Sequence, residues 1–95
     1  MATSTLSNKH YQVRITTLGK DTYFALVTEY DVSAEKFFIV ESHKPVPPEV
    51  YAVFTKNNIE RHSNGAFTGM DRQTTENIMV DLLSLEGWEF EPMTH

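Results

Sequence analysis

Residues 71–90 read DRQTTENIMVDLLSLEGWEF, and this stretch decides the fold class. Three of its apolar residues recur at helical spacing and share one face: Ile78, Leu82 and Leu85. The same periodicity turns Glu76 and Asp81 away from that face. The pattern predicts an amphipathic helix over residues 71–86.

Both ends of this helix carry residue types that suit helix termini. Thr68 or Asp71 can accept hydrogen bonds from the free amides of the first turn, and Gly87 suits the left-handed conformation after a helix end. Residues 88–90 then alternate between aromatic and acidic side chains, as a strand does. We therefore expect a helix laid across a sheet, with a final strand returning to one edge of that sheet.

The first half of the chain predicts an antiparallel meander over residues 10–42. Residues 11–16 alternate between apolar and polar side chains, which is typical of a half-buried strand. Residues 22–30 and 36–42 are rich in β-branched and aromatic residues, and turn signals separate the three runs. An antiparallel sheet of this kind has an apolar face that must be covered, so we expect the helices to lie on it.

Two later segments leave alternatives open. Three closely spaced prolines end the sheet, and Pro48 favours a short helix over residues 48–57. The β-branched content of that segment keeps a strand as the alternative. Asn64 and Gly65 form a typical hairpin turn signal, but the alternation around them is weak, so an ordered loop is the alternative there.

Together these patterns predict one α+β domain over residues 9–95, preceded by a flexible tail of residues 1–8. We expect an antiparallel sheet of about four strands, made of the meander and the C-terminal strand. A C-terminal helix and a short helix after the prolines are expected to pack on it. The tail prediction follows from the polar composition of the first eight residues.

The composition is that of a soluble globular protein. Apolar residues make up 40% of the 95 residues and charged residues 22%, which suits a single core. There is no cysteine, so disulfides and cysteine-ligated metal sites are excluded. The first residues lack the apolar run of a signal peptide, and no run approaches the roughly 18 residues that span a bilayer. We therefore expect a cytoplasmic protein that does not bind membranes.

The net charge of −5 is concentrated at the C-terminal end. Residues 71–95 hold six acidic side chains against Arg72 alone, whereas residues 1–70 hold seven acids and seven bases. Since this acidic surface repels phosphate backbones, we expect no nucleic-acid partner. It could instead meet a basic protein partner. The acidic residues predicted to bind such a partner are Asp81, Glu86, Glu89 and Glu91.

The sequence contains no catalytic motif. It has no nucleophile elbow, no glycine-rich phosphate loop and no dinucleotide-binding fingerprint. The four histidines are scattered over expected loops and chain ends: His10, His43, His62 and His95. His43 and His62 could meet near Glu41 or Glu60 as a metal or acid–base site, which is the enzyme alternative. We predict no catalytic residue, no metal ligand and no cofactor.

Aromatic residues are the other candidates for a binding surface. Phe37 and Phe38 are adjacent, so on a strand their side chains point to opposite faces. One face of the sheet takes the helices, and the other is either exposed or covered by a partner. We therefore predict that Phe37 or Phe38, whichever faces outward, contributes to partner binding.

Residues 81–90 resemble the ending of a group of small bacterial domains of unknown function. In those domains a helix closes with a leucine-rich turn, an acidic residue, Gly-Trp-Glu and an apolar strand residue. The opening run of Tyr11, Gln12 and Val13 is similar to their first strand. The resemblance covers about a fifth of the chain, and the typical member is shorter, without the intervening strands and proline segment. It implies the helix–glycine–strand ending and no catalytic residues.

These observations favour a small non-enzymatic interaction or regulatory module, of bacterial or phage origin. It is expected to bind a protein partner or to form a homodimer. One alternative is a small-molecule-binding domain with a pocket between sheet and helix. Another is a phage or host inhibitor that uses its acidic charge to block a basic groove.

Overall fold

The computed structural model describes residues 3–17, 19–40, 44–62 and 65–91. The chain has an α+β fold, in which a six-stranded antiparallel sheet carries two helices on one face. Its elements follow in chain order: β1 (Thr3–Ser7), β2 (Tyr11–Thr17), β3 (Tyr23–Asp31), β4 (Lys36–Ile39), α1 (Pro48–Lys56), β5 (Phe67–Met70), α2 (Arg72–Leu83) and β6 (Glu89–Glu91).

The sheet contains the expected meander and two further strands. β2, β3 and β4 pair consecutively and antiparallel, which confirms the meander. β6 pairs with the outer edge of β1, so the C-terminal strand returns to a sheet edge as predicted. The order across the sheet is β4-β3-β2-β1-β6, and β5 pairs with the first half of β3. The sheet therefore has six strands rather than about four, because β1 and β5 join it.

The prediction of a flexible tail over residues 1–8 is wrong for residues 3–7, which form β1. This strand lies between β2 and β6. It pairs with β2 along its length and with β6 through its last three residues. Leu6 is fully buried in the core beneath the helices. Serine and threonine surround this one apolar residue, so the composition resembles a tail although the backbone is paired on both sides.

Both helices pack their apolar faces onto the same side of the sheet. α1 confirms the helical alternative for residues 48–57 and buries Val50, Val53 and Phe54. The Phe54 ring stacks on Phe67 of β5, with centroids 4.0 Å apart. Burial of this face explains why β-branched residues are tolerated in α1, since tertiary packing outweighs their modest helix propensity.

α2 confirms the predicted C-terminal helix, with shorter bounds than 71–86. Asp71 is its N-cap, and the carboxylate accepts a hydrogen bond of 2.7 Å from the Thr74 amide. The helix ends at Leu83, and the chain then tightens through a bond from the Leu85 amide to the Leu82 carbonyl. Gly87 has a φ of 85°, the left-handed conformation that glycine adopts at low cost.

Asp81 does not face away from the neighbouring elements, contrary to its predicted orientation. Its carboxylate accepts a hydrogen bond of 3.2 Å from Asn57 Nδ2 and lies 3.7 Å from Lys56 Nζ. Both partners belong to the end of α1, so Asp81 connects the two helices. The helical periodicity placed this residue off the sheet-facing stripe, but it could not show that a second helix lies beside α2.

Arg61 forms hydrogen bonds with the backbone on both sides of residues 41–43. Its guanidinium donates to the carbonyl of Lys44 at 2.6 Å and to that of Val40 at 3.3 Å. Arg61 also forms an isolated bridge with Phe67, and the His62 amide donates to the Ala66 carbonyl at 2.8 Å. The chain thus turns back on itself here, while the Asn64 part of the predicted Asn-Gly turn lies outside the described residues.

Candidate functional site: the open face of the sheet

The two helices leave one face of the sheet uncovered by any described element. Cross-strand partners share a face, and the register aligns Leu6 with Val13 and Val13 with Val27, all buried beneath the helices. The side chains between them point to the opposite side. We call this the open face, and its residues are Thr5, Ser7, Gln12, Arg14, Thr16, Phe24, Leu26, Thr28, Tyr30, Phe37, Ile39, Glu89 and Glu91.

One half of the open face is apolar. It consists of five side chains on β3 and β4: Phe24, Leu26, Tyr30, Phe37 and Ile39. The first four are half-buried, and Ile39 is 58% exposed. The rings of Tyr30 and Phe37 lie 5.0 Å apart at 59°, a tilted arrangement that aromatic pairs favour. None of these five side chains is charged, and Lys36 and Lys44 line the same cleft as Tyr30, Phe37 and Ile39.

The other half of the open face is polar and is bordered by acid. Arg14 Nη2 donates to Gln12 Oε1 at 3.4 Å on β2, in the middle of the sheet. Glu89 and Glu91 lie along β6, where Ser7 Oγ donates to Glu91 Oε1 at 3.1 Å. The open face therefore runs from an acidic edge through a polar centre to an apolar edge.

β4 carries an aromatic side chain on each of its faces. Phe37 and Ile39 lie on the open face, whereas Phe38 lies on the helix side and is 43% exposed. The Nζ of Lys36, two residues earlier on the same side, lies 5.2 Å from the Phe38 ring centroid, a cation–π contact. Phe37 and Phe38 thus point to opposite faces, as predicted from their adjacency, and both are partly accessible.

The structure brings together only some of the six predicted binding residues. Phe37, Glu89 and Glu91 share the open face, at opposite edges of it. Asp81 is engaged between the helices, and Glu86 is exposed in the turn after α2. The other four apolar residues of the open face were not singled out from the sequence. The period-2 spacing on β3 and on β4 shows which residues share a face within each strand. The pairing register is also needed to show which of these faces lie on the same side of the sheet.

A hydrogen-bonded turn shapes the end of the apolar half. Asp31 closes β3, and its carboxylate accepts bonds from the Ser33 hydroxyl at 2.6 Å and the Ser33 amide at 2.9 Å. The hydroxyl bond, and then the amide bond, lowers the pKa of Asp31 below its ordinary value. Asp31 lies opposite Lys36 in the β3–β4 register.

Of the histidines in the enzyme alternative, His62 lies within the described residues. The exposed His62 ring is hydrogen-bonded to the Thr68 hydroxyl, at the side of a cleft that Tyr51 and Glu60 also line. His43 and Glu41 lie outside the described residues, so their predicted approach to His62 has no structural account. Among residues 3–17, 19–40, 44–62 and 65–91, no three His, Asp or Glu side chains are grouped closely enough to hold a metal ion.

The pocket alternative corresponds to a small cleft. A cleft of about 290 Å³ lies between α2 and the sheet, lined by residues that include Ile15, Tyr23 and Met79. Ligand pockets commonly enclose about 300–1,000 Å³ and bury most of the ligand. This cleft is at the lower limit of that range.

Comparison with protein families, with curated proteins and with solved structures finds no match for this chain. The resemblance of residues 81–90 to small bacterial domains therefore stays a prediction. Within the described ranges, no helix has the length and hydropathy needed to cross a membrane.

Proposed function

We propose that this protein is a non-enzymatic interaction module that binds a partner protein on the open face of its sheet. The observation that carries the proposal is the apolar half of that face, which no described element covers. Contiguous apolar side chains that remain accessible in a folded domain commonly mark protein-binding surfaces. Leu26 lies near the middle of this half, on a strand that pairs along both edges.

The acidic residues of β6 indicate the charge that a partner surface would carry. Glu89 and Glu91 border the open face on the side away from the apolar half, and the whole chain has a net charge of −5. A complementary partner would present an apolar patch with basic side chains at one side of it. Such an arrangement favours a protein over a nucleic acid, since the phosphate backbone would be repelled by the acidic border.

The test is native mass spectrometry of the protein purified from its own host, with two matched variants. Leu26→Arg places a charge in the apolar half of the open face. Val80→Arg places the same charge at a 66% exposed apolar residue of α2, in the opposite layer. We expect the wild type and Val80→Arg to carry a stoichiometric second protein, and Leu26→Arg to lose it.

Circular dichroism and thermal melts of both variants would establish that each is folded. A partner that remains bound to folded Leu26→Arg would contradict the proposal. A defined small adduct without a second protein would instead favour the ligand-binding alternative.

A further inference from the structure

The two outer edges of the sheet differ in how well they are protected against pairing. β6 carries Glu89 and Glu91 on either side of Phe90. A second copy of this strand placed beside it would bring like charges together, which protects an edge against association. β4 has the sequence Lys-Phe-Phe-Ile, whose last three residues are apolar and partly accessible. Its outer edge pairs with no described strand, and its one charged residue, Lys36, stands at the start of the strand and not at its centre.

The pairing of β3 with β4 shows which backbone groups face that free edge. The Val40 amide donates to the Val27 carbonyl at 2.9 Å, so this pair is hydrogen-bonded. Hydrogen-bonded pairs alternate along an antiparallel ladder, so Phe38 also bonds towards β3. The amides and carbonyls of Phe37 and Ile39 therefore point outward, away from β3.

Only certain registers let two β4 strands pair through these outward groups. In an antiparallel pair related by a two-fold axis, Phe38 can lie opposite Phe38 of the second copy. Phe37 then lies opposite Ile39 of the second copy, and each such pair exchanges two hydrogen bonds. All of these cross-strand contacts are apolar, and the two Lys36 side chains lie at opposite ends of the ladder.

We propose that a second copy of this chain pairs antiparallel with the free edge of β4, centred on Phe38. The two-fold axis stands perpendicular to the sheet, so both open faces lie on the same side of the dimer. Their apolar halves meet at the centre, and the acidic β6 strands lie at the two far edges. Like charges are therefore kept apart despite the net charge of −5 on each chain.

The size of the open face favours this arrangement. The five strands β4, β3, β2, β1 and β6 are three to nine residues long and lie about 4.8 Å apart, which gives a face of roughly 450 Å². A typical protein interface buries about 800 Å² per partner. Pairing of two copies doubles the continuous face, which then suffices for a partner of ordinary size. The inference extends the proposed function and rests on it for the role of the dimer, although the dimer itself is tested separately.

The absence of cysteine from the chain allows a direct test by single-cysteine cross-linking. At the proposed centre the two Phe38 Cα atoms are about 4.5 Å apart, which a disulfide spans. Phe38→Cys is the test variant. Phe90→Cys is the matched control, because Phe90 is 44% exposed and lies on the opposite, acidic edge. Under mild oxidation, we expect Phe38→Cys to form covalent dimers about tenfold faster or more, since pairing raises the effective thiol concentration.

Sedimentation equilibrium of cysteine-free variants tests the backbone pairing. Ile39→Pro removes an outward amide, which an edge strand tolerates, and should raise the dimer dissociation constant about tenfold or more. Phe90→Pro removes the corresponding outward amide of β6 and should leave the dimer unchanged. Equal cross-linking of the two cysteine variants, or a monomeric wild type, would overturn the inference. If the wild type is a monomer and Leu26→Arg still abolishes partner binding, only the dimer is overturned. If the wild type is a β4 dimer and Leu26→Arg still binds the partner, only the proposed function is overturned.

Discussion

At the scale of single residues, two neighbouring aromatic side chains at the C-terminal end of the domain differ sharply in burial. Trp88 is 6% exposed and belongs to the core cluster, whereas Phe90, two residues later, is 44% exposed. The register pairs Phe90 with the buried Leu6, so it lies on the helix side of the sheet. Its exposure follows from its place on the outermost strand, where cover by neighbours is incomplete.

This difference gives a prediction for Trp88. Replacing Trp88 by alanine should lower the free energy of unfolding by about 3–5 kcal/mol, because a large buried side chain is lost and a cavity remains. Phe90→Ala is the control, and it should cost about 1 kcal/mol or less because its side chain is already partly in water. Urea denaturation of the two variants gives both values. Equal losses at the two positions would show that Trp88 is not a core residue.

At the scale of elements, α2 illustrates how a helix start depends on one carboxylate. Asp71 accepts from the Thr74 amide, and this backbone bond, followed by the Thr74 side-chain bond, lowers the pKa of Asp71. The folded-state pKa therefore lies below the ordinary value of 3.8. The contribution of the charged cap to stability is complete above that value and is lost as the pH falls through the folded-state pKa.

The variant Asp71→Asn separates the charge from the cap. Asparagine still accepts the amide bond but does not titrate, so the melting temperature should fall less steeply than that of the wild type between neutral pH and about pH 3. Asp71→Ala removes the cap and should melt lower than Asp71→Asn at neutral pH. Thermal melts followed by circular dichroism at both pH values give the melting temperatures of the wild type and the two variants. Parallel pH profiles for wild type and Asp71→Asn would contradict the assignment.

At the scale of the whole molecule, β1 completes the sheet. It is the only described strand that pairs with β6, and it contributes Leu6 to the core under the helices. Without it, β6 has no partner and the edge of β2 is exposed. The first strand in the sequence thus joins the last strand to the rest of the domain.

Deletion of residues 1–8 should therefore abolish cooperative unfolding, whereas removal of a true tail would leave it unchanged. Leu6→Ala in the full chain is the intermediate control, since it keeps the backbone pairing and loses only a buried side chain. It should cost about 2–5 kcal/mol. Denaturation curves followed by circular dichroism distinguish these outcomes. A deleted chain with the stability of the wild type would contradict the role of β1.

The sequence alone was sufficient for the fold class, the meander and the helix–glycine–strand ending. These features depend on contacts between residues close in the chain: the helical spacing of Ile78, Leu82 and Leu85, the cap at Asp71 and the left-handed Gly87.

The tertiary structure decided the role of β1, the contact of Asp81 with α1 and the composition of the open face. Those features depend on strand register and on which layer lies above a side chain. Phe24, Leu26 and Ile39 form one surface with Phe37 because the register of the β3–β4 pair places them on the same face, and the alternation within each strand does not specify that register.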